Sequence, residues 1–113
     1  MPKPSLTVIC TYRVQRPREK DFLRLLRAHW PALRRLGLVT TEPSVAYRGE
    51  EERGHPFYVE IFTWKSARAV RGAHAHPEVA AIWEPMGTMC EPRGSRPAME
   101  FPHVARVKLG RGA

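Results

Sequence analysis

Cysteine is scarce in this chain of 113 residues, and its two cysteines, Cys10 and Cys90, lie far apart in the sequence. They form no CxxC pair and no zinc-binding spacing, so we expect free thiols in the reducing cytoplasm and no disulfide scaffold or zinc framework. Long apolar runs are also missing, since no stretch approaches the roughly 18 residues that cross a bilayer. The first residues lead directly into an alternating strand pattern, without the features of a signal peptide. We therefore expect one domain over residues 1–113 that does not engage a membrane.

Acidic residues are outnumbered: 11 aspartates and glutamates stand against 19 lysines and arginines, which gives a formal net charge of +8. Such a charge favours anionic partners, nucleic acid among them. The basic residues are nevertheless spread over most of the chain. The densest group, Arg24, Arg27, Arg34 and Arg35, lies on the polar side of a predicted helix, and no RNA-binding or zinc-finger motif accompanies it. The pattern indicates a solvated helix face, and nucleic-acid binding is disfavoured.

Hydrophobic periodicity predicts four strands and three helices. Strands are indicated by alternation of apolar and polar residues, and helices by apolar residues three and four positions apart. The predicted strands cover residues 6–14, 38–48, 57–64 and 101–109. The predicted helices run from Pro17 to Leu36, from Ala67 to Ala73 and from Val79 to Met86. We expect Pro31 to kink or restart the first helix, and Pro85 with Gly87 to limit the last one.

The strand at residues 57–64 has apolar side chains on both faces. Phe57, Val59 and Ile61 form one row, and Tyr58, Phe62 and Trp64 form the other. Two apolar faces indicate a central strand that is covered on both sides. Glu60 is a carboxylate inside the second of these rows.

The order strand, helix, strand, strand, helix, strand is the split βαβ pattern of the ferredoxin-like fold. We therefore predict an α+β domain in which helices cover one face of a four-stranded antiparallel sheet. The other face is rich in apolar side chains and needs a cover. A second copy of the chain is the simplest one, which predicts a homodimer.

The segment Tyr58–Ser66 (YVEIFTWKS), followed by Ala67, His74 and His76-Pro77, resembles the antibiotic biosynthesis monooxygenase-like domains. The similarity extends in element order over roughly residues 6–109. These domains belong to the dimeric α/β-barrel superfamily, so the resemblance implies a homodimer with its two sheets face to face. It also implies a pocket between the sheet and the helices of each protomer. Some members of the family oxidise polyketide-derived anthrones with dioxygen and without metal or flavin, and others degrade haem.

The resemblance disfavours haem degradation in this chain. Haem-degrading members rely on an asparagine, a tryptophan and a haem-ligating histidine, and the corresponding places fall near Thr11, Ala73 and Trp83. None of the three residue types matches. Cofactor-free oxygenation is the chemistry that the resemblance leaves, and for it we expect no cofactor and no metal.

Such an oxygenation requires a base that ionises a phenol or enol, and an apolar cleft that holds the resulting carbanion near oxygen. The candidate polar groups are His74, His76 and Glu60. The candidate substrate-binding residues are Tyr12, Trp30, Tyr58, Phe62, Trp64, Trp83 and Met86. Aromatic side chains at these spacings are also what core or dimer packing requires, so packing is the competing interpretation.

Two alternatives concern the polar groups. His74 and His76 could share a metal with a third ligand from Glu78, Glu84, His55 or His103, although we favour His76 as a helix cap before Pro77. The Glu60 carboxyl is either buried with a raised pKa or paired with Arg13 or Arg106. The leading hypothesis is a cofactor-independent monooxygenase that acts on a small aromatic or polyketide-like molecule. The alternative is a non-catalytic ligand-binding or structural homodimer of the same fold.

Overall fold

Strands and helices alternate in the predicted order in the computed structural model, which describes residues 6–110. The N-terminal stretch in which we saw no signal peptide, and both ends of the predicted domain, lie outside these residues. Two short 3₁₀ turns, Arg16–Arg18 and Glu52–Gly54, join the longer elements. The strands are β1 (Thr7–Tyr12), β2 (Val45–Glu50), β3 (Pro56–Thr63), β4 (Met99–Glu100) and β5 (His103–Val104). The helices are α1 (Glu19–Arg35), α2 (Ala67–His74) and α3 (Pro77–Thr88).

The sheet is antiparallel throughout, with strand order β2-β3-β1-β4, and β5 also pairs with β1. The hairpin strand β3 lies between β1 and β2, as the split βαβ arrangement requires. The predicted α+β, ferredoxin-like fold is therefore confirmed. In the register that joins the two central strands, Cys10 is opposite Glu60 and Tyr12 is opposite Tyr58.

The last strand differs from the prediction of residues 101–109, because it is shorter and in two pieces. Met99 pairs with Tyr12, and His103 pairs with Val8, so β4 and β5 follow the same edge of β1. Between them Pro102 has no N–H to donate, although its carbonyl accepts a hydrogen bond from the Ile9 N–H at 3.0 Å. Residues 105–110 form no strand.

The two faces of the central strands are buried unequally. Along β1 and β3 every second residue is buried against the helices, including Val8, Cys10, Tyr58 and Phe62. The apolar stripe of α1 packs over this row through Phe22, Leu26 and Leu33. A fully buried side chain of this size contributes about 1.5–3 kcal/mol through the hydrophobic effect. This layer is the core of the domain, and it fixes α1 over the centre of the sheet.

The predicted restart at Pro31 and the predicted limit at Pro85 and Gly87 are both wrong. α1 is continuous from Glu19 to Arg35 with Pro31 inside it, and α3 continues through Pro85 to Thr88. A proline removes one backbone hydrogen bond from a helix, and here packing against the sheet outweighs that loss. The starts of the two later helices follow the prediction. Ser66 Oγ accepts a hydrogen bond from the Ala69 N–H at 3.0 Å, and His76 Nδ1 accepts one from the Glu78 N–H at 3.1 Å.

The face of the sheet away from the helices is apolar and open in the single chain. Val45 and Tyr47 on β2 are 49% and 63% exposed, and they lie opposite Ile61 and Val59 on β3. The row Phe57, Val59, Ile61, predicted to be covered, is half-buried. Phe57 also lies across Gly49, where a Cβ would come within 2.6 Å of its ring. We call the surface of Val45, Tyr47, Phe57, Val59 and Ile61 the outer sheet face.

A cluster of arginines and glutamates fastens the loop before β4 to the sheet. Glu51 accepts hydrogen bonds from Arg13, Arg93 and Arg96, with N–O distances of 2.7–3.2 Å. Arg13 also donates to Glu100, and Arg93 to the Val14 carbonyl. These bonds hold β4 and the loop before it in place.

None of the helices within residues 6–110 has both the length and the apolar character that crossing a membrane requires.

Candidate functional site

A cavity of about 240 Å³ lies between the helix-facing side of the sheet and helices α2 and α3. The sheet lines it with Val8, Cys10, Tyr12, Phe62 and Trp64. The helices contribute His29, Val70, His74, Trp83 and Met86. Its remaining wall is the β4–β5 segment, which contributes Met99, Phe101 and His103. The position against an edge strand follows from the fold, because no helix covers that edge.

A chain of four hydrogen-bonded side chains adjoins this cavity. Glu60 Oε1 lies 2.9 Å from His29 Nδ1 and accepts a hydrogen bond from the Tyr12 hydroxyl at 3.0 Å. Trp83 Nε1 donates to His29 Nε2 at 2.8 Å. His29 and Glu60 are only 2% and 1% exposed. β1, β3, α1 and α3 each supply one member, so the chain of bonds depends on the tertiary fold.

The Trp83 indole fixes the tautomer of His29. An indole N–H can only donate, so His29 Nε2 must present its lone pair to it. A neutral imidazole carries its single proton on the other nitrogen, and that proton on Nδ1 points at Glu60. The carboxylate therefore receives two donors, from His29 and from Tyr12. Nε2 is the basic atom of the pair, and its partner, Trp83, is itself a wall of the cavity.

The other ionisable groups near Glu60 stay protonated. Burial, and then the charge of Glu60, raise the pKa of the Cys10 thiol to about 12. The same two causes raise the pKa of Tyr12 well above its ordinary value. Tyr12 is therefore a hydroxyl donor at neutral pH, and Cys10 is a thiol of low reactivity. Neither side chain is suited to act as a base or nucleophile, so the imidazoles that line the cavity, His29 and His74, are the candidate bases.

Comparisons with known proteins give structural matches only; no protein-family model and no curated protein match the chain. A variant of SnoaB, a cofactor-independent oxygenase from Streptomyces nogalater, is 18% identical with a TM-score of 0.66, over 91% of this chain and 94% of that one. An antibiotic biosynthesis monooxygenase is 13% identical with a TM-score of 0.62, over 88% and 98%. This chain has the antibiotic biosynthesis monooxygenase fold.

The same fold also occurs under another name. A NIPSNAP family protein from Agrobacterium tumefaciens is 12% identical, covers 97% of this chain and 94% of its own, and has a TM-score of 0.59. At these identities the similarity shows the fold alone. Function has to be argued from the side chains that this chain places on the monooxygenase fold.

The cavity brings together most of the residues that the sequence suggested for the substrate. Tyr12, Phe62, Trp64, Trp83 and Met86 all line it. The other two lie elsewhere. The Tyr58 hydroxyl donates to Glu19 Oε1 at 2.7 Å, and Trp30 lines a second cavity described below.

The three suggested polar groups occupy three different places. His74 lines the cavity, with its ring centroid 5.0 Å from that of Trp83. Glu60 does not line this cavity but supports His29 from behind, and its partners are not Arg13 or Arg106. His76 is the N-cap of α3 and does not line the cavity either. Among residues 6–110, no group of three His, Cys, Asp or Glu side chains is placed to hold a metal ion.

Sequence reasoning did not identify His29, Met99 or Phe101 as site residues, and it considered His103 only as a possible metal ligand, not as a wall of the cavity. His29 lies in the apolar stripe of α1, three residues after Leu26 and four before Leu33. A histidine in a helical apolar stripe and a carboxylate in an apolar strand row are two buried polar groups that need partners. The sequence therefore signalled that each of the two needs a buried partner, but not that they pair with each other.

Proposed function

We propose that this protein is a cofactor-independent monooxygenase that oxidises a small aromatic or polyketide-like phenol or enol with dioxygen. The observation that carries the proposal is the His29 imidazole in the wall of an apolar cavity, with its tautomer fixed by the Trp83 indole N–H and its Nδ1–H directed at Glu60. The fold shared with cofactor-independent oxygenases supports it. Localisation in the cytoplasm belongs to the same proposal, because free Cys10 and Cys90 suit a reducing compartment.

The first step is removal of a proton from the substrate. A hydroxyl that enters beside Trp83 replaces the indole N–H at His29 Nε2 and gives its proton to that nitrogen. Glu60 stabilises the imidazolium through Nδ1, as a carboxylate behind a histidine does in other proton-transfer sites. The displaced indole N–H is then free to donate to the substrate oxyanion. Both charges develop in a site from which the aromatic walls exclude water.

The second step is reaction of the delocalised carbanion with dioxygen. One electron passes from the carbanion to O₂, and the resulting radical and superoxide combine to a peroxide. For a substrate with a CH₂ group at the reacting carbon, that carbon then loses its remaining proton as the O–O bond breaks. The carbon keeps one oxygen as a carbonyl, and the other oxygen leaves as water after it takes up both the proton lost by that carbon and the proton held by His29. Electrons and atoms balance without an added reductant.

Oxygen uptake by the purified protein tests the proposal, with an anthrone as substrate and no added metal or cofactor. We expect His29→Gln to lower kcat by about a hundredfold or more, which is the usual contribution of a positioned acid–base group. His76→Asn is the matched control, because asparagine also caps helices and the residue lies outside the cavity. His74→Gln tests the remaining candidate base.

Two results would contradict the assignment of His29. One is an unchanged rate in His29→Gln with its fold intact by circular dichroism. The other is loss of activity in His74→Gln while His29→Gln stays active, which would make His74 the base. Absence of oxygen uptake with every phenol, anthrone and hydroquinone offered would count against the monooxygenase itself.

A non-catalytic ligand-binding protein is the second candidate, and the hydrogen bonds of His29 favour it. Both imidazole nitrogens are already bonded within the protein, as in a purely structural group. This candidate predicts that a hydroquinone quenches tryptophan fluorescence, because Trp64 and Trp83 line the cavity, while no oxygen is consumed.

We also propose that the protein is a homodimer, joined through the outer sheet face. The exposed Val45 and Tyr47 continue the half-buried row of β3, and a second copy would bury both strands' apolar side chains. Light scattering at micromolar concentration should give twice the chain mass of 12.9 kDa. Tyr47→Lys should shift the mass towards the monomer; a wild-type mass near 12.9 kDa would refute the dimer.

A further inference from the structure

A second cavity, of about 360 Å³, lies between helix α1 and the edge strand β2. Its lining includes Trp30, Ser44, Ala46 and Glu60. Ala46 is opposite Glu60 in the pairing of β2 with β3, so both side chains are on the helix side of the sheet. Glu60 thus lies between the two cavities, since its partners Tyr12 and His29 line the first one.

Two polar groups in this second cavity have hydrogen-bonding capacity to spare. Trp30 Nε1 is buried and has no hydrogen-bond partner within residues 6–110. Both hydrogen bonds that the described side chains make to Glu60 end on Oε1, whereas a carboxylate has a second oxygen that also accepts. Buried polar groups in proteins are almost always satisfied, and where no side chain does this, water does.

We propose that water in this second cavity is hydrogen-bonded to Trp30 Nε1 and to the Glu60 carboxylate, and that it is the route by which the buried His29–Glu60 pair exchanges protons with solvent. The cavity is large enough for several water molecules, and Ser44 supplies a further polar side chain. Only its use in turnover rests on the proposed function; the route itself is a property of the resting protein.

The route accounts for a difficulty in the first cavity. An aromatic ligand there covers His29 on that side, so between the two proposed steps the imidazolium has no contact with solvent through the first cavity. From an imidazolium with a proton on each nitrogen, the Nδ1 proton passes to Glu60 Oε1 while Nε2 keeps its own proton, which leaves a neutral ring, and the carboxylic acid then passes a proton to water as hydronium. The reverse transfers restore it. No other reactant is needed.

Nuclear magnetic resonance of the full-length protein without turnover tests the route, at a pH acidic enough for His29 to carry a proton on both nitrogens, through the exchange of the His29 Nδ1–H and Trp30 Nε1–H protons with water. Ala46→Leu places a larger apolar side chain in the second cavity at the position opposite Glu60, and Ala46 does not line the first cavity. Ala28→Leu is the matched control, because it adds the same group at an exposed position of α1 outside both cavities. The ligand probe for the first cavity is 2-naphthol under anaerobic conditions.

We expect Ala46→Leu to slow exchange at His29 by at least about tenfold, because exchange would then require local opening of the packed α1. Ala28→Leu and 2-naphthol should leave it unchanged, and Trp30 Nε1–H should exchange magnetisation with water. Slowing by 2-naphthol but not by Ala46→Leu would overturn the inference, as would no slowing by either. Because exchange is measured without turnover, an inactive protein can meet the expectation and an active oxygenase can fail it.

Discussion

Replacement of His29 by leucine should destabilise the protein strongly, and the cost can be worked out from the contacts of the site. Leucine has a similar size, so no large cavity forms. The substitution removes one of two donors from a carboxylate that is 1% exposed, and it leaves the Trp83 N–H without its partner. Loss of a hydrogen bond to a charged group costs about 1.5–3 kcal/mol, and the stranded indole N–H adds about 1 kcal/mol or more. For a domain of this size, that lowers Tm by more than about 10 °C.

The decisive result is the double variant. If the destabilisation comes from the stranded Glu60 carboxylate, then replacing Glu60 by leucine as well removes the charge and should restore at least about 1 kcal/mol relative to the sum of the single changes. Tyr12 still loses its acceptor in the double variant, so recovery is partial. Urea unfolding followed by tryptophan fluorescence and circular dichroism gives each free energy, at one fixed protomer concentration because a dimer makes stability depend on concentration.

His74→Leu is the control, since His74 is an exposed histidine without a hydrogen-bonded carboxylate; we expect a change within about 0.5 kcal/mol. Additive single changes at His29 and Glu60 would refute the reasoning. So would a His29→Leu variant as stable as the control, because the pair would then be no more than two separate buried side chains.

Three further predictions concern the rest of the fold. Gly49→Ala should destabilise the protein, because the new Cβ would displace the Phe57 ring. Gly72→Ala inside α2 should instead raise stability by up to about 1 kcal/mol. Thermal melts in which both substitutions shift Tm in the same direction would contradict this. Burial raises the pKa of Glu51, but hydrogen bonds from three arginines outweigh it and leave the pKa below its ordinary value. Its contribution to stability is therefore present above about pH 4.5 and is lost as pH falls through the lower folded pKa. In Glu51→Gln, the unfolding free energy should depend less steeply on pH in this acid range. An unchanged dependence on pH would contradict this role of Glu51. With a pKa of about 12, Cys10 should resist iodoacetamide at pH 8 in the folded protein when the other cysteine is serine; rapid alkylation would show that its thiol is not protected.

Periodicity alone was enough to predict the elements and their order, because each of these depends on local patterns of apolar residues. Sequence reasoning also found that Glu60 interrupts an apolar row and that His76 caps a helix. It did not find the partner of Glu60. Arg13 and Arg106 were considered on the grounds of charge, whereas the partner is His29, on a helix that crosses over the strand. Which residues meet across layers depends on helix position over the sheet, and no local pattern encodes it.

The errors at the prolines and in the last strand have a related cause. Pro31 and Pro85 break local rules, yet their helices continue because tertiary packing supplies more free energy than one lost hydrogen bond removes. In the opposite direction, Val107 and Leu109 continue an apolar pattern but are exposed, since no strand of the described chain pairs with them. Propensity is decisive only where packing does not contradict it.

The first cavity has walls of unequal rigidity, and this bears on how its contents could change during evolution. Tyr12, Phe62 and His29 belong to the buried layer, where any change of volume disturbs the whole domain. Met99 on β4, His103 on β5 and Phe101 between these two strands form the opposite wall, and Phe101 is half exposed. A new side chain at these three positions alters which molecules can enter at little cost in stability. Related chains could therefore diverge in the molecules that this cavity admits through changes at these three positions, while the buried His29–Glu60 pair stays the same.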